Sequence, residues 1–418
     1  MGTSGGQTNT LEVDIDRLWR DLMASAKIGP GRTVGLNRPA LSTADGEMRD
    51  VFVGWCKDAG LSVSVDKVGN IFARRDGTEN TLPPVAMGSH LDTQIAGGRY
   101  DGILGVLGGL EVIRTLNDRN ITTRRPLEVI CWTNEEGARF QPPMMGAGAF
   151  AGLHTLDWVL DQTDDDGCRF GDELERIGYA GDAKLSGHDL DTYFELHIEQ
   201  GPELEAEGLP VGIVTGGFVA FGSQVQFQGE TAHSGPTPMD KRRNALVGAA
   251  YLIAAVNDIG WKYHPDARST TTRIQLWPNR YGILPDWADV TVDIRHPERK
   301  TAEKMAEEVR AAIAEAGRKG NVDVEVVKEW EFGCDDFSTD CIDLLRTKAD
   351  ELGIPHKDML SQAGHDAYHV AKVVPTAMIF SPCRDGTTHN ENEHIEKEDT
   401  HPAVNLLMHA VLERANRS

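Results

Sequence analysis

Apolar residues recur along the N-terminal half of the chain in two periods, one helical and one alternating. Helical spacing predicts helices near 13–27, 42–59 and 103–116. Short apolar or alternating runs between these segments predict strands. This rhythm of helices and strands favours an α/β fold with a largely parallel sheet. The predicted strands cover residues 61–65, 70–75, 84–90, 127–132 and 193–199.

The pattern changes before and after the fifth strand. Residues 165–190 are rich in Gly and Asp and are predicted to form a loop. From 216 to 330 the predicted elements follow the order β-α-β-β-α-β, which is the order of a ferredoxin-like module. Residues 331–418 then return to an α/β pattern. The sequence therefore predicts a mixed-sheet α/β domain from residues 1–215 and 331–418, interrupted by a smaller α+β domain at 216–330.

Composition and charge exclude several classes of function. A net charge of −23 over 418 residues argues against nucleic-acid binding and against binding to anionic membranes. The longest apolar run, at 245–256, is too short to cross a bilayer. Six dispersed cysteines without a CxxC pair indicate free thiols in a reducing compartment. Residues 1–10 lack the features of a signal peptide and are predicted to form a tail, so we expect a cytoplasmic protein.

Several histidines and carboxylates lie at or near predicted strand ends, and each has an ordinary explanation when it is taken alone. His90 and Asp92 share one face at a strand end, where a histidine is more often structural. Asp101 lies in a Gly-rich turn that suits a helix-capping aspartate. His197 alternates along a strand whose polar face could be solvated, and His389 follows a strand in a polar loop.

Taken together, the strand ends point to chemistry. Four stretches, SHLD, TNEEG, FELHIE and FSPCRDGTTH, place histidine or carboxylate after an apolar strand. In open α/β sheets, functional groups gather at the carboxyl ends of strands. Two or three imidazoles with two or three carboxylates are the ligands of a catalytic divalent metal site. The pattern alone thus favours a metallohydrolase about as strongly as it favours an unremarkable α/β protein.

Longer motifs carry a resemblance to a known family. The chain resembles the hydantoinase/carbamoylase branch of the M20-type dinuclear metallohydrolases along nearly its whole length. That resemblance implies a mixed-sheet metallohydrolase catalytic domain and an inserted ferredoxin-like domain that acts as a lid and forms a homodimer. The segments that carry it are GSHLDTQIAGGRYDGILGVLGGLEV, WTNEEGARF, ELHIEQGPELE, GETAHSGPTPMDKRRNAL, VDIRHP, AGHDA and TTHNENEH.

The resemblance also implies roles for single residues. Two divalent ions (Zn, Mn, Co or Ni) would be held by five ligands, with Asp101 bridging them. Glu135 would be the general base, and Asp92 would orient the imidazole of His90. His233 would stabilise the oxyanion. The implied ligands are His90 and His197 for one ion, Glu136 and His389 for the other, and Asp101 for both.

Substrate-contacting residues are implied as well, with one departure from the family pattern. Gln200 and Arg295 match residues that contact the substrate, although Asp293 and Arg295 share a strand face and could simply pair.

Family members that cleave carbamoyl amino acids carry an Asn where this chain has Gly282. Either Asn279 takes its place by another loop path, or the pocket has lost one contact to the substrate carboxylate. His365 and Asp366 match a family turn, without an assigned role.

The resemblance therefore implies hydrolysis of the ureido C–N bond of an N-carbamoyl-L-amino acid to amino acid, ammonia and carbon dioxide. An allantoate amidohydrolase or another enzyme acting on ureides or β-ureidopropionate is the first alternative. An M20-type peptidase is a weaker alternative, because HIEQGPELE and EEGARF resemble the carbamoylase branch. A binding protein without catalysis is also weaker, because every expected ligand and Glu135 are present. The expected partner is a small ureido carboxylate, with no nucleic acid and no membrane.

Overall fold

The computed structural model describes residues 11–185, 189–333 and 336–417. The predicted tail at 1–10, part of the predicted loop at 186–188, and Cys334 lie outside these residues. Up to residue 217 the chain forms α1 (Ile15–Ser25), α2 (Thr43–Asp58), β1 (Ser62–Val65), β2 (Ile71–Arg75), β3 (Val85–His90), α3 (Ile103–Asp118), β4 (Leu127–Trp132), α4 (Met145–Phe150), α5 (Leu156–Leu160), α6 (Phe170–Arg176), β5 (Thr192–Ile198), α7 (Glu203–Glu207) and β6 (Val211–Gly217).

The remaining elements fall into a middle and a C-terminal segment. The middle segment forms β7 (Val219–Gln228), α8 (Ala245–Lys262), β8 (Arg268–Trp277), β9 (Trp287–His296), α9 (Arg299–Gly320) and β10 (Asp323–Phe332). The C-terminal segment forms α10 (Thr339–Leu352), β11 (His356–Ser361), α11 (Asp366–Val370), β12 (Thr376–Ser381) and α12 (Lys397–Asn416).

The elements belong to two compact units. The first contains the described residues up to 215, residues 336–359 and the described residues from 364 onward. The second contains residues 216–333 and 360–363. Residues 360–363 join the second unit because the Phe218 N–H donates to the Ser361 carbonyl at 2.8 Å. Assignment of these units to a catalytic domain and to a lid or dimerisation domain stays a prediction.

The large sheet is mixed, with the strand order β1-β2-β4-β3-β5-β12-β6-β11. Its central strands β4, β3, β5 and β12 are parallel to one another. The flanking pairs β1–β2, β2–β4 and β12–β6 are antiparallel. The mixed-sheet α/β class is confirmed, whereas the expectation of a largely parallel sheet holds only for these central strands.

The small sheet has the order β10-β7-β9-β8 and is antiparallel throughout. Alternate residues of its strands, such as Val225 and Phe227 of β7 and Val290 and Val292 of β9, are buried in one core with apolar residues of α8 and α9. A period of two for the buried positions is what a sheet covered on one face requires. The predicted β-α-β-β-α-β order is confirmed.

One predicted loop is partly helical. Within 165–190, the structure has α6, in which the buried residues Phe170 and Leu174 are four positions apart and share a face. Asp172 and Glu173 lie in its first turn and Arg176 in its last, which stabilises a short helix through its dipole. The abundance of Gly and Asp concealed this spacing. Among the described residues, no helix combines the length and apolar character needed to cross a membrane.

Candidate active site

The carboxyl ends of four parallel strands meet at one edge of the large sheet. β3 ends on His90, and His197 is the second-to-last residue of β5. The segment after β4 carries Glu135 and Glu136, and the loop after β12 carries His389. This topology explains how residues that are distant in sequence come within a few ångströms of one another.

Two groups of potential ligands share one carboxylate. The first group is His90, Asp101 and His197: Asp101 Oδ1 lies 3.1 Å from His197 Nε2 and 3.8 Å from His90 Nε2. The second group is Asp101, Glu136 and His389. His389 Nε2 lies 3.4 Å from Asp101 Oδ2 and 3.2 Å from Glu136 Oε2. The two oxygens of Asp101 therefore face different histidines, as a bridging carboxylate must.

A third group, Glu195, His197 and His365, overlaps the first. The carboxylate of Glu195 already accepts hydrogen bonds from the Ser89 hydroxyl at 2.8 Å and the Ala367 N–H at 2.9 Å. These bonds make Glu195 a structural acceptor rather than an available ligand. The ring of His365 lies 4.4 Å from that of His197, so the turn at His365 and Asp366 does border the site.

Backbone carbonyls orient the two buried imidazoles. His90 Nδ1 lies 2.9 Å from the carbonyl oxygen of Asp92, and His197 Nδ1 lies 2.9 Å from that of Ile198. A carbonyl can only accept, so Nδ1 of each ring carries a proton and Nε2 is the ring atom that faces the other ligands. The prediction that the Asp92 carboxylate orients His90 is wrong, because its nearer oxygen is 4.0 Å from Nδ1.

The Asp92 carboxylate instead holds the two adjacent glutamates. Its oxygens accept the backbone N–H groups of Glu135 at 3.3 Å and Glu136 at 3.2 Å. The chain also bends here, since Asn134 has a left-handed backbone with φ of 58°. The glutamates therefore do not diverge along an extended strand, as the sequence suggested; a bend directs both toward the site.

Opposite charges dominate the protonation of two potential ligands, Asp101 and His197. Burial disfavours the ionised form of Asp101, but contact with His197 and the charges of His197 and His389 hold its pKa well below the usual range. Burial likewise opposes a charged His197, but contact with Asp101 outweighs it and raises the pKa of His197 to about 9. Without a metal, a proton on His197 thus compensates Asp101, and a bound cation would replace that proton.

Glu135 has a different environment from its neighbour. It is buried, and one of its carboxylate oxygens lies 3.4 Å from His90 Nε2. Burial, followed by the charges of Asp366 and Glu136, raises the pKa of Glu135 well above its usual range. A carboxyl group with a raised pKa beside a cluster of ligands is suited to accept and return a proton.

Two glutamines also contact the ligand carboxylates. Gln200 Nε2 donates to Asp101 Oδ2 at 2.9 Å and to the Thr388 hydroxyl at 3.1 Å. A substrate contact for Gln200 stays a prediction. Sequence reasoning missed Gln94, whose backbone N–H and side-chain amide donate to the two oxygens of Glu136 at 3.0 and 2.9 Å.

Two buried arginines beneath the site were also missed. Arg49 donates to Asp45 at 2.9 Å and approaches the Thr133 hydroxyl at 3.3 Å, just before the bend at Asn134. The side chain of Arg38 donates to the Leu91 carbonyl at 2.9 Å, beside His90. Both arginines are fully buried. Burial alone distinguishes these two arginines from surface arginines. The sequence therefore did not indicate that they hydrogen-bond to the backbone and side chains beneath the site.

The predicted residues of the second unit include an exposed histidine. The Gly235 N–H donates to His233 Nδ1 at 3.1 Å, so a neutral imidazole carries its proton on Nε2. The Ser234 N–H donates to the Gly282 carbonyl at 3.0 Å, which places Gly282 on the segment that pairs with this loop. Asn279 is exposed and lies before the pairing begins.

Arg295 pairs with its strand neighbour. Its guanidinium donates to both oxygens of Asp293, at 2.8 and 3.1 Å, and to the Gln362 carbonyl at 2.9 Å. The pairing that the sequence left open is therefore present. A contact between Arg295 and a substrate carboxylate stays a prediction.

The donor set fits a pair of divalent cations. It consists of imidazole Nε2 atoms with fixed tautomers and carboxylate oxygens, a set that suits several divalent transition metals. His197 Nε2 is buried and lies 3.1 Å from Asp101 Oδ1, so a proton or a cation is needed to compensate these two atoms. The geometry therefore favours a two-metal centre with Glu135 beside it.

A mixed α/β unit with such a centre is the arrangement of a metallohydrolase, and comparison with known families agrees. The model of peptidase family M20/M25/M40 matches residues 86–413, and the chain belongs to this family. Enzymes of this family are typically dinuclear metal hydrolases.

Individual relatives are similar over nearly the whole chain. An N-carbamoyl-L-amino-acid amidohydrolase of Rhizobium meliloti is 43% identical over 96% of this chain and 97% of its own length. A ureidoglycolate hydrolase of Oryza sativa subsp. japonica is 33% identical over 97% of this chain and 86% of its own length. A hydantoinase/carbamoylase family amidase of Burkholderia vietnamiensis has a solved structure with a TM-score of 0.94 and 45% identity, covering 98% of this chain and 99% of that one.

Proposed function

We propose that this protein is a metal-dependent amidohydrolase that cleaves the carbamoyl C–N bond of an N-carbamoyl-L-amino acid. One water is consumed, and the products are the amino acid, ammonia and carbon dioxide. The observation that carries the proposal is the pair of ligand groups that share Asp101, with Glu135 3.4 Å from His90. The similarity to the Rhizobium meliloti amidohydrolase supports the choice of substrate.

In this proposal one cation would be held by His90, His197 and Asp101, and the other by Asp101, Glu136 and His389. Zn²⁺, Mn²⁺, Co²⁺ or Ni²⁺ would suit these ligands, because none is a thiolate. When bound, such cations polarise a carbonyl oxygen and lower the pKa of water. Gln94 keeps Glu136 turned toward His389, since it donates to both carboxylate oxygens.

Glu135 performs the proton transfers. It removes a proton from the attacking water and returns it to the departing nitrogen, so its charge is restored after each turnover. The raised pKa of Glu135 favours this double role, because a carboxylate of ordinary pKa holds a proton too weakly to deliver it. The neighbouring bend at Asn134 fixes the direction of the carboxylate.

Residues of the second unit complete the proposal. His233 donates from Nε2 to the oxyanion that forms at the ureido carbon, a role for which its tautomer is already set. Arg295 binds the substrate carboxylate while Asp293 keeps the guanidinium in place. The protein acts as a homodimer through this unit: its edge strand β8 and helix α8 expose apolar residues such as Ile274 and Tyr251.

A substrate panel tests the function. The purified protein is assayed for ammonia release from N-carbamoyl-L-amino acids, β-ureidopropionate and allantoate, with and without added Mn²⁺. We expect the highest kcat/KM for an N-carbamoyl-L-amino acid. A higher value for allantoate or β-ureidopropionate would replace the substrate class and retain the chemistry, whereas hydrolysis of none of them would contradict the proposal.

Gly282 offers a test of substrate binding. A Cβ at this position would meet open space, and although its φ of 90° strains any side chain, Asn tolerates positive φ better than most residues. Gly282→Asn is expected to lower KM for an N-carbamoyl-L-amino acid roughly 10-fold, because a hydrogen bond to a charged group contributes about 1.5–3 kcal/mol.

Two controls separate the amide from other effects. Gly282→Ala also adds a Cβ at this positive φ but lacks the amide, so its KM should not fall below the wild-type value. Asn279→Ala shows whether that residue already supplies the contact. Equal KM values for the Asn and Ala variants at 282 would argue against a missing carboxylate contact.

A further inference from the structure

One buried glutamate in the TTHNENEH segment has no part in the chemistry proposed above. Glu393 is 4% exposed. One of its carboxylate oxygens accepts the backbone N–H groups of Tyr100 at 3.0 Å and of Asp101 at 3.1 Å. The other oxygen accepts the Thr388 hydroxyl at 3.2 Å. The side chain thus joins the turn that carries Asp101 to the loop that carries His389.

Thr388 extends this connection to the carboxylate of Asp101 itself. Its hydroxyl lies 3.2 Å from Asp101 Oδ2, the oxygen that faces His389. Glu393 therefore contacts Asp101 directly at its backbone N–H, and the Thr388 hydroxyl, which has one hydrogen to donate, lies between the two carboxylates. The neighbouring His389 has a left-handed backbone with φ of 49°, which a non-glycine residue keeps only where its surroundings hold it.

The turn before Asp101 is shaped around the same carboxyl group. A Cβ added at Gly98 would lie 1.9 Å from the Cδ atom of Glu393, far inside contact distance. No residue but glycine fits at 98 while the carboxylate remains in its place. Position 98 therefore provides a way to displace Glu393 without altering its chemistry.

We propose that Glu393 is a positioning residue for the cation site formed by Asp101, Glu136 and His389. The proposal rests on the function inferred above for the ligands, and it assigns Glu393 the task of holding two loops at one separation. The site of His90 and His197 depends on it less, because those imidazoles stand on strands β3 and β5 and are oriented by backbone carbonyls.

The matched control lies two residues earlier. Glu391 also joins its loop to another backbone segment, accepting the N–H groups of Arg32 at 2.7 Å and of Thr33 at 2.5 Å. Its partner segment carries none of the predicted ligands. Glu391→Ala therefore removes the same side chain from the same loop without touching Asp101.

Zn²⁺ titration of the metal-free full-length protein against a chromophoric chelator tests the proposal. Glu393→Ala is expected to weaken one of the two Zn²⁺ sites roughly 10- to 100-fold, the range for partners of metal ligands. Gly98→Ala is expected to do the same. Glu393→Gln retains an oxygen for the two N–H groups and should restore most of the affinity. Glu391→Ala should match the wild type.

A second readout is the visible absorption spectrum of the Co²⁺-loaded protein, which should change in Glu393→Ala and Gly98→Ala and be unchanged in Glu391→Ala. Wild-type affinity at both sites in either Glu393→Ala or Gly98→Ala would overturn the inference. So would equal losses in the Ala variants at 393 and 391. These affinities decide the inference whatever substrate the wild type hydrolyses; a wild type that binds no Zn²⁺ would refute both proposals.

Discussion

Replacing Glu135 with glutamine is expected to lower kcat roughly 10²- to 10⁴-fold while both cations remain bound, because an amide cannot accept the proton of water. The neutral amide should be well tolerated, since burial and neighbouring carboxylates already raise the pKa of Glu135. Steady-state kinetics and metal analysis of the same preparation measure the two effects.

Glu136→Gln is the matched comparison, because it makes the same chemical change one residue further along. It replaces a potential ligand that lies 3.2 Å from His389, so it should reduce metal content together with activity. If both variants keep their metal, or if both lose it, the division of roles between the two glutamates is wrong.

Replacing Asp101 with asparagine is expected to abolish binding of both cations at micromolar metal concentrations. Asp101 contributes one oxygen to each ligand group, so a single change weakens both sites. The loss in affinity should exceed the roughly 10- to 100-fold effect of changing an outer partner of a ligand. Metal analysis after dialysis, together with calorimetric titration, checks this expectation.

Asp118→Asn serves as the charge control. Asp118 ends the helix that Asp101 precedes, and its side chain is 60% exposed beside Arg17. Asp118→Asn makes the same change in net charge as Asp101→Asn, but it should leave metal binding intact. Retention of two cations by Asp101→Asn would show that Asp101 does not bridge.

The sequence could indicate that the candidate ligands lie near one another, because their positions follow from topology. His90 and His197 stand at the ends of parallel strands, and parallel strands end at the same edge. The resemblance of the long motifs to the family indicated the other candidate ligands. Fold class was accessible for the same reason, since periodicity locates the strands even where it leaves their direction open.

The supporting hydrogen bonds were not accessible from the sequence. Either the carboxylate or the backbone carbonyl of Asp92 could orient His90, and the choice depends on the conformation of the turn. The spacing of apolar residues in the sequence does not predict that conformation. Gln94 and Glu393 act on backbone or side-chain groups that only the folded chain brings near them. The bend at Asn134 likewise required the structure, since TNEEG reads equally well as a continuing strand.

The strand order has a consequence for biosynthesis. β12 lies between β5 and β6 in the large sheet, yet it is made after the whole second unit. His90, Asp101 and His197 have all been synthesised by residue 197, whereas the other ligand group lacks His389 until nearly the end of translation. A growing chain thus carries one complete set of ligands while β5, the strand of His197, still lacks its neighbour β12. The sheet closes only when its C-terminal part emerges from the ribosome.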